Sequence, residues 1–202
     1  MYFREVTHPL KVNDFDYVIV DTDVGGDDCQ ALVALFHFCQ KHNKKLLGVS
    51  CCNGNAVIDD VVTNVLITQA VCNVSYPVYK GNDNSIAGDN LKDYYFGKDG
   101  FGQRQAHYLE KLGEKVDRSL VQEQKSYKFI AESAEKYKGR IALICLGPLS
   151  NLALAYYYNS KIVDCFSNLV IMGCSDTLAG LNHHYVAEFN IGLDPEAGYI
   201  VF

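Results

Sequence analysis

The sequence predicts an α/β fold with an open, mostly parallel β-sheet and helices on both faces. Short apolar runs rich in β-branched residues alternate along the chain with longer runs of helical periodicity, as expected for successive β-α units. The first short run, residues 17–20, is apolar at every position, which suits a strand buried on both faces. No repeat, low-complexity tract or Pro/Ser-rich linker divides residues 1–202, so a single domain is expected.

The predicted elements follow one another in β-α order. In the first half of the chain, the pattern predicts a strand at 17–20, a helix at 26–41, a strand at 46–52, a helix at 56–71 and a short strand at 77–80. Periodicity is lost in the polar segment 81–124, for which a long loop with some helix is predicted. The second half predicts a helix at 126–138, a strand at 141–146, a helix at 149–158 and a strand at 169–172. Residues 194–202 resemble a helix start, with Asp194 as the N-cap and Pro195 in the first helical position.

Composition and charge argue against several classes of protein. A hydrophobic fraction of 49% and a charged fraction of 21% are ordinary for a globular domain. The net charge of -6 and the lack of a Lys/Arg run argue against a nucleic-acid partner, and the apolar runs are too short for a membrane span. The 8 cysteines form no C-x-x-C pair and lie mostly in apolar segments, which indicates free thiols in a reducing compartment. With no signal-peptide core before Asp16, a cytoplasmic location is expected.

The densest chemical signal is the acidic segment at residues 21–28, which lies between the first strand and the first helix. Its four carboxylates repel one another unless they share a cation. Oxygen ligands of this kind select Ca²⁺ or Mg²⁺, and the Gly25-Gly26 pair allows Asp23 and Asp28 to converge. The alternative is purely structural: Asp27 and Asp28 cap the helix, while the two earlier aspartates are turn residues.

Polar residues also follow the other predicted strands. The second strand ends in the segment 53–55, the strand at 141–146 in 147–151, and the strand at 169–172 in Gly173. Because parallel strands place their carboxyl ends at one edge of a sheet, these groups are expected to form one shared site. Glu188 and Asn190 lie two apart on a segment predicted to be extended, so both should project toward one hydroxylated ligand.

Taken in order, the motifs at 21–28, 54–55, 146–151, 171–173 and 187–197 resemble those of the inosine-uridine nucleoside hydrolase family. The resemblance extends from Asp16 to the end of the chain. It implies a Rossmann-like sheet with one Ca²⁺ at the floor of its crevice. It also implies hydrolysis of the N-glycosidic bond of a small-molecule ribonucleoside, giving ribose and free nucleobase.

The resemblance also implies roles for individual residues. Asp23 and Asp28 match metal-ligating carboxylates, the carbonyl of Leu146 matches a backbone ligand, and Asp23 matches the general base that draws a proton from a Ca²⁺-bound water. The positions that match ribose-binding residues are Asp27, Asn55, Met172, Asn182, Glu188 and Asn190.

The sequence departs from the family pattern in two ways. The His-Gly-x-x-Gly stretch of the family appears here as residues 96–100, with Phe96 in place of the histidine. Relatives are also longer and supply a His-Asp pair, whereas this chain stops in an apolar run, so a C-terminal truncation is expected. His183 and His184 receive no role as substitutes. A full-length form is expected to be a homo-oligomer.

Two alternatives remain open at this point. One is a truncated relative with weak or no catalytic activity. The other is a phosphatase of the haloacid-dehalogenase type, which also places an Asp-x-Asp turn after a buried strand. That enzyme needs a lysine near a late strand end, and the segments 147–151 and 173–174 contain none, so it ranks lower.

Overall fold

The computed structural model describes residues 11–88, 94–175 and 187–202. Within these ranges the strands are β1 Tyr17–Thr22, β2 Lys45–Cys51, β3 Val78–Lys80, β4 Val121–Gln122, β5 Ile141–Cys145 and β6 Phe166–Ile171. The α-helices are α1 Gly26–Lys41, α2 Ile58–Cys72, α3 Gln105–Leu112, α4 Ser126–Lys136, α5 Ser150–Tyr158, α6 Phe189–Leu193 and α7 Pro195–Val201. No helix in this described part is long and apolar enough to cross a membrane.

The strands form one sheet in the order β4-β3-β2-β1-β5-β6, and every neighbouring pair is parallel. The predicted α/β fold with a parallel, Rossmann-like sheet is therefore confirmed. The strand order reverses at β1, since the chain first adds strands on one side of β1 and then returns to its other side. Such a reversal opens a crevice beyond the carboxyl ends of the strands, where ligands of open α/β sheets bind.

Helices cover both faces of the sheet, as predicted. Val18 and Val20 of β1 belong to one buried cluster, together with Leu32 of α1 and side chains of α2. Ile19, between them, points to the opposite face and belongs to a second cluster with Leu152 of α5 and side chains of α4. This alternation follows from the two-residue period of a strand. Because both faces are covered, β1 is apolar throughout its first half.

Two predictions of element position were wrong. The segment 81–124, predicted as a loop with some helix, also contains the edge strand β4, which has only two residues and so leaves no periodic signal. The last strand begins at Phe166 rather than Leu169. Its first three residues include Ser167 and Asn168, whose polarity hid them, and the strand tolerates them because it lies at the sheet edge.

Candidate functional site

A cavity of about 440 Å³ lies where β1, β2, β5 and β6 end. Its lining residues are Asp23, Asp27, Asp28, Asn55, Tyr95, Phe96, Leu146, Met172, Glu188, Phe189 and Asn190. This set contains every residue selected from the sequence except Asn182, which lies outside the described residues. The structure therefore brings these residues together at one place, while their chemical roles remain predictions.

Asp23 and Asp28 form a buried acidic pair at the floor of the cavity. Their exposed fractions are 1% and 3%. Burial raises the pKa of Asp23 well above its ordinary value, and the neighbouring carboxyl of Asp28 raises it further. Burial also raises the pKa of Asp28, while a hydrogen bond from Asp23 opposes that rise. Without a cation the pair therefore retains a proton more readily than exposed carboxyls do, and a bound cation would replace that proton.

Hydrogen bonds fix the orientation of both carboxyls. The backbone N–H of Asn55 donates to Oδ2 of Asp23 over 2.8 Å, so the end of β2 holds this side chain. The hydroxyl of Thr22 donates to Oδ2 of Asp28 over 2.7 Å. Thr22 had not been selected from the sequence, although its place between two aspartates was a usable signal.

Glycines on two strand ends leave room for the Asp23 carboxyl. A Cβ atom at Gly54 would lie 2.7 Å from Cγ of Asp23 and would overlap its Oδ2. A Cβ atom at Gly147 would lie 2.8 Å from Oδ1. The backbone thus approaches this carboxyl from both sides more closely than any side chain would permit.

The donors around Asp23 fit a hard divalent cation in kind. The Asp23 and Asp28 carboxylates and the Leu146 carbonyl all line the cavity and are oxygen ligands of the kind that such a cation prefers. The Leu146 oxygen accepts a 2.8 Å hydrogen bond from Asn190 Nδ2, which leaves it one further lone pair. Within residues 11–88, 94–175 and 187–202, no three His, Cys, Asp or Glu side chains group so as to hold a metal ion. Asp23, Asp28 and the Leu146 carbonyl would therefore supply only part of the shell of such a cation.

Glu188 and Asn190 face the cavity for a different reason from the predicted one. The segment is not extended, because Glu188 is the N-cap of α6 and Asn190 lies inside that helix. The Glu188 carboxylate accepts the N–H groups of Asn190 and Ile191, each over 3.0 Å. Asn190 Nδ2 donates to the carbonyls of Leu146 and Met172, which joins the ends of β5 and β6. The prediction of an extended segment was wrong because the Glu188 carboxylate caps a helix.

Asp27 and Asn55 stand on either side of the acidic pair. Asp27 is exposed, and its Oδ1 accepts the N–H of Asp28 over 3.0 Å, so this carboxylate also satisfies a donor in the first turn of α1. The structural alternative was therefore partly right for Asp27. It does not account for Asp28, whose side chain turns toward Thr22 and Asp23 instead.

The upper rim of the cavity is aromatic. Tyr95 and Phe96 meet edge to face, with ring centroids 4.9 Å apart and an interplanar angle of 88°. Phe189 extends this rim, and Met172 adds an apolar side chain that is 47% exposed. Tyr95 and Phe189 were missed by sequence reasoning, although the aromatic run 94–96 within a polar segment was a usable signal. Among the described residues, no Lys, Arg or His lines the cavity.

A further buried acid, Asp21, lies on β1 next to this pair. Its Oδ1 accepts hydrogen bonds from the hydroxyl of Ser50 and, over 2.8 Å, from Asn151 Nδ2. Its Oδ2 has no hydrogen-bond partner within the described part of the chain. Burial raises the pKa of Asp21 to about 7, although the Ser50 and Asn151 hydrogen bonds oppose this. Hydrogen bonds to Asp21 therefore join β1 to β2 and α5. The Asp21 carboxyl that accepts them is partly protonated near neutral pH.

We expect Asp21→Asn to flatten the dependence of stability on pH. Because the pKa of Asp21 is raised in the folded chain, that chain binds this proton more tightly than the unfolded chain does. Its contribution to stability is therefore full below the ordinary carboxyl pKa and is lost as pH rises to about 7. From about pH 5.5 to about pH 8.5 the loss is roughly 2 kcal/mol. The free energy of unfolding, measured with urea in the presence of a chelator, should show this loss with rising pH for the wild type but not for Asp21→Asn. The same pH dependence in both proteins would contradict the raised pKa of Asp21.

Comparisons with known proteins agree with this arrangement. The family model described as inosine-uridine preferring nucleoside hydrolase matches residues 18–202. Uridine nucleosidase 1 of Arabidopsis thaliana is 31% identical over 191 residues, which are 92% of this chain and 52% of that protein. The pyrimidine-specific ribonucleoside hydrolase RihB of Escherichia coli is 29% identical over 187 residues, 92% of this chain and 55% of that protein.

Solved structures show the same relationship. An inosine-guanosine nucleoside hydrolase superposes with a TM-score of 0.78 at 25% identity, covering 93% of this chain and 56% of that one. A plant nucleoside hydrolase gives a TM-score of 0.77 at 26% identity, covering 92% and 56%. The chain spans about half the length of the curated relatives it matches. Since the family model covers nearly all of the described residues, the chain belongs to the inosine-uridine preferring nucleoside hydrolase family.

Proposed function

We propose that this chain carries the ribose site of a Ca²⁺-dependent ribonucleoside hydrolase, which releases ribose and free nucleobase. The observation that carries the proposal is the division of the cavity lining into acidic and amide groups, most of them buried, and a more exposed aromatic set. A ribonucleoside has the same division, because a sugar with several hydroxyls is joined to a flat ring. The relatives are named for uridine, pyrimidine and inosine-guanosine substrates, which supports ribonucleosides as the class.

The floor supplies the groups that bind the sugar. Asp27, Asn55 and Asn190 present carboxylate or amide groups to the cavity, and each can exchange hydrogen bonds with a ribose hydroxyl. Glu188 is held in place by the two N–H groups that it caps, so its carboxylate reaches the cavity in a fixed orientation. A fixed orientation lowers the entropy cost of binding and favours one sugar pose.

Asp23 is the group that takes a proton from the attacking water. In its deprotonated state the carboxylate is oriented by the Asn55 N–H and can accept that proton within the cavity. Asp23, Asp28 and the Leu146 carbonyl would hold Ca²⁺, which when bound supplies a water of lowered pKa and keeps Asp23 ionised. As the N-glycosidic bond breaks, positive charge develops on the ribosyl group, and the nearby carboxylates of Asp27 and Glu188 stabilise it.

The aromatic rim receives the nucleobase. Tyr95, Phe96 and Phe189 offer ring surfaces for contact with a flat base. Phe96 stands where the family pattern has a histidine, so this position offers the departing base no proton. We therefore assign the acceleration chiefly to the sugar side of the cavity.

A weakly active relative is the second candidate. It is favoured by the small number of acidic ligands, because no third His, Cys, Asp or Glu side chain joins Asp23 and Asp28 in the described part of the chain. Ca²⁺ takes roughly 6 to 8 oxygen ligands, so waters would complete much of the shell and affinity would be low. Calorimetric titration with Ca²⁺ separates the two candidates, since tight binding contradicts the second.

Ribose-release assays test the proposed function directly. We expect turnover of inosine or uridine in Ca²⁺ and its loss after chelation. Turnover of uridine 5′-monophosphate should be at least roughly tenfold lower than that of uridine. Its phosphate would meet carboxylates, and no cationic side chain lines the cavity among the described residues. Equal use of uridine and its monophosphate would contradict the ribose-floor assignment, and turnover that survives chelation would contradict the role of the metal.

A further inference from the structure

Tyr95 and Phe96 of the aromatic rim belong to a loop, residues 94–104, that is tightly folded on itself. The Asp99 carboxylate accepts the N–H groups of Phe101, Gln103 and Gln105 over 2.8, 2.7 and 2.9 Å. A further bond runs from the N–H of Gly102 to the carbonyl of Phe96 over 2.6 Å. The loop therefore has a defined shape. Contacts outside the loop must hold it against the rest of the site.

One buried side chain, Asn64 on α2, contributes most to that connection, and Gln105 Nε2 adds a hydrogen bond to the Asp60 carbonyl over 3.2 Å. Asn64 Nδ2 donates to the carbonyl of Asp99 over 2.7 Å and to the carbonyl of Val24 over 3.2 Å. Its Oδ1 accepts from Nε2 of Gln105 over 2.9 Å. Asn64 is 0% exposed, so these bonds are shielded from water. A single amide thus joins the 94–104 loop, the start of α3 and the turn that carries the acidic segment.

Of the other buried polar side chains on α2, Gln69 also bonds outside its helix, to the backbone of Tyr76, but it does not reach the loop. The hydroxyls of Thr63 and Thr68 bond back to carbonyls of their own helix, those of Asp59 and Asn64. Burying an amide is costly unless its donors and acceptor are all used. Asn64 uses them on segments outside its helix, which points to a role in holding those segments together.

The fastened loop sets the place of Phe96. The Phe96 ring lies so close to the Gly25-Gly26 backbone that a Cβ atom at Gly25 would approach within 2.6 Å of it and within 2.7 Å of Asn55 Nδ2. Gly100, with a φ of +75°, lets the loop come close to the Val24 carbonyl and to Asn64. The ring therefore rests on the turn between Asp23 and Asp27, beside a proposed sugar contact.

We propose that Asn64 is a positioning residue that fastens the 94–104 loop to the acidic turn and so sets the aromatic wall of the nucleobase subsite. The part of this inference that concerns the nucleobase rests on the proposed function, whereas the fastening itself does not. Because the floor residues are held by Thr22, the Asn55 N–H and the α6 cap instead, loss of Asn64 should affect the base more than the sugar.

The test compares Asn64→Ala with Asp99→Ala and with the matched control Thr63→Val. Asp99 is half-buried on the loop, so Asp99→Ala loosens the same loop without emptying the core. Thr63→Val removes a hydrogen bond that lies within the same helix and does not involve the loop. Hydrogen exchange should quicken by about tenfold or more at residues 96–105 in both loop variants, with strand β1 unchanged, and should not quicken there in the control.

Ligand binding supplies the second measurement. In Ca²⁺ the two loop variants should bind inosine or uridine roughly tenfold more weakly than wild type, with ribose affinity unchanged, and the rise in KM should exceed the fall in kcat. Unchanged exchange at 96–105 in Asn64→Ala would overturn the fastening. Faster exchange with equal losses for ribose and nucleoside would overturn the positioning role. If wild type binds neither ligand, the proposed function fails, while the exchange data still decide the fastening.

Discussion

Replacing Asp23 by alanine is expected to lower ribose release from inosine and uridine by roughly a thousandfold or more. The change removes the proposed proton acceptor and one of the two acidic ligands of the cation site together. Steady-state assays of the variant and the wild-type chain in saturating Ca²⁺ measure the effect. Calorimetry on the same samples should show the accompanying loss of Ca²⁺ affinity.

We expect the Asp23→Ala variant to fold, so that a loss of turnover can be assigned to chemistry rather than to unfolding. Asp23 is buried against a second acid, so its removal relieves a desolvated, like-charged contact in the metal-free chain. Stability in chelator should therefore stay the same or rise. Asp59→Asn, at an exposed carboxylate that pairs with Lys80, is the matched control and should keep wild-type turnover. An Asp23→Ala variant with near-normal turnover would remove Asp23 from the mechanism.

Adding one methyl group at Gly54 should be almost as damaging. The new Cβ would overlap Oδ2 of Asp23, so either the carboxyl or the end of β2 must move. Movement of Asp23 by about 1 Å is enough to cost roughly a hundredfold in rate. We expect Gly54→Ala to lose Ca²⁺ affinity and ribose release together, by about that factor, in the assays used for Asp23.

Gly88→Ala is the control for this glycine, because its added Cβ meets nothing within 4 Å. Gly147→Ala offers a second approach to the same carboxyl, from the β5 side, and should weaken Ca²⁺ binding in the same direction. Wild-type Ca²⁺ affinity in Gly54→Ala would show that the strand end can yield without disturbing Asp23. The close approach of glycine would then have no consequence for the site.

The core of the fold was predictable because its signals are local and repeated. A strand buried on both faces is apolar, as β1 is at residues 17–20, and the α1 helix shows its stripe at 26–41 with the bounds that the structure has. The elements that were missed or misplaced, β4 and the start of β6, lie at the two edges of the sheet. An edge strand has fewer neighbours, so its sequence is less constrained.

The candidate site was predictable to the extent that it follows from strand ends. Asp23 and Leu146 lie directly after parallel strands and Asn55 lies shortly after another, so topology places them at one edge of the sheet. Contributions made by loops and helix caps were not predictable in the same way. The Asn64 amide reaches residues 24, 99 and 105, and no spacing within α2 reveals such contacts. Glu188 was misjudged because a capping side chain and a strand residue look alike in sequence.

The central position of β1 has a consequence for how the chain is made. During synthesis β1 to β4 emerge first, and one edge of β1 lacks its partner until β5 follows. The contact of Asp21 with Asn151, which closes this region, joins residues 130 positions apart. Until then the mostly apolar edge of β1 is open to pairing with other nascent chains, which is a route to aggregation. Slower or cooler expression, or a chaperone that shields that edge, should therefore raise the soluble yield of this protein.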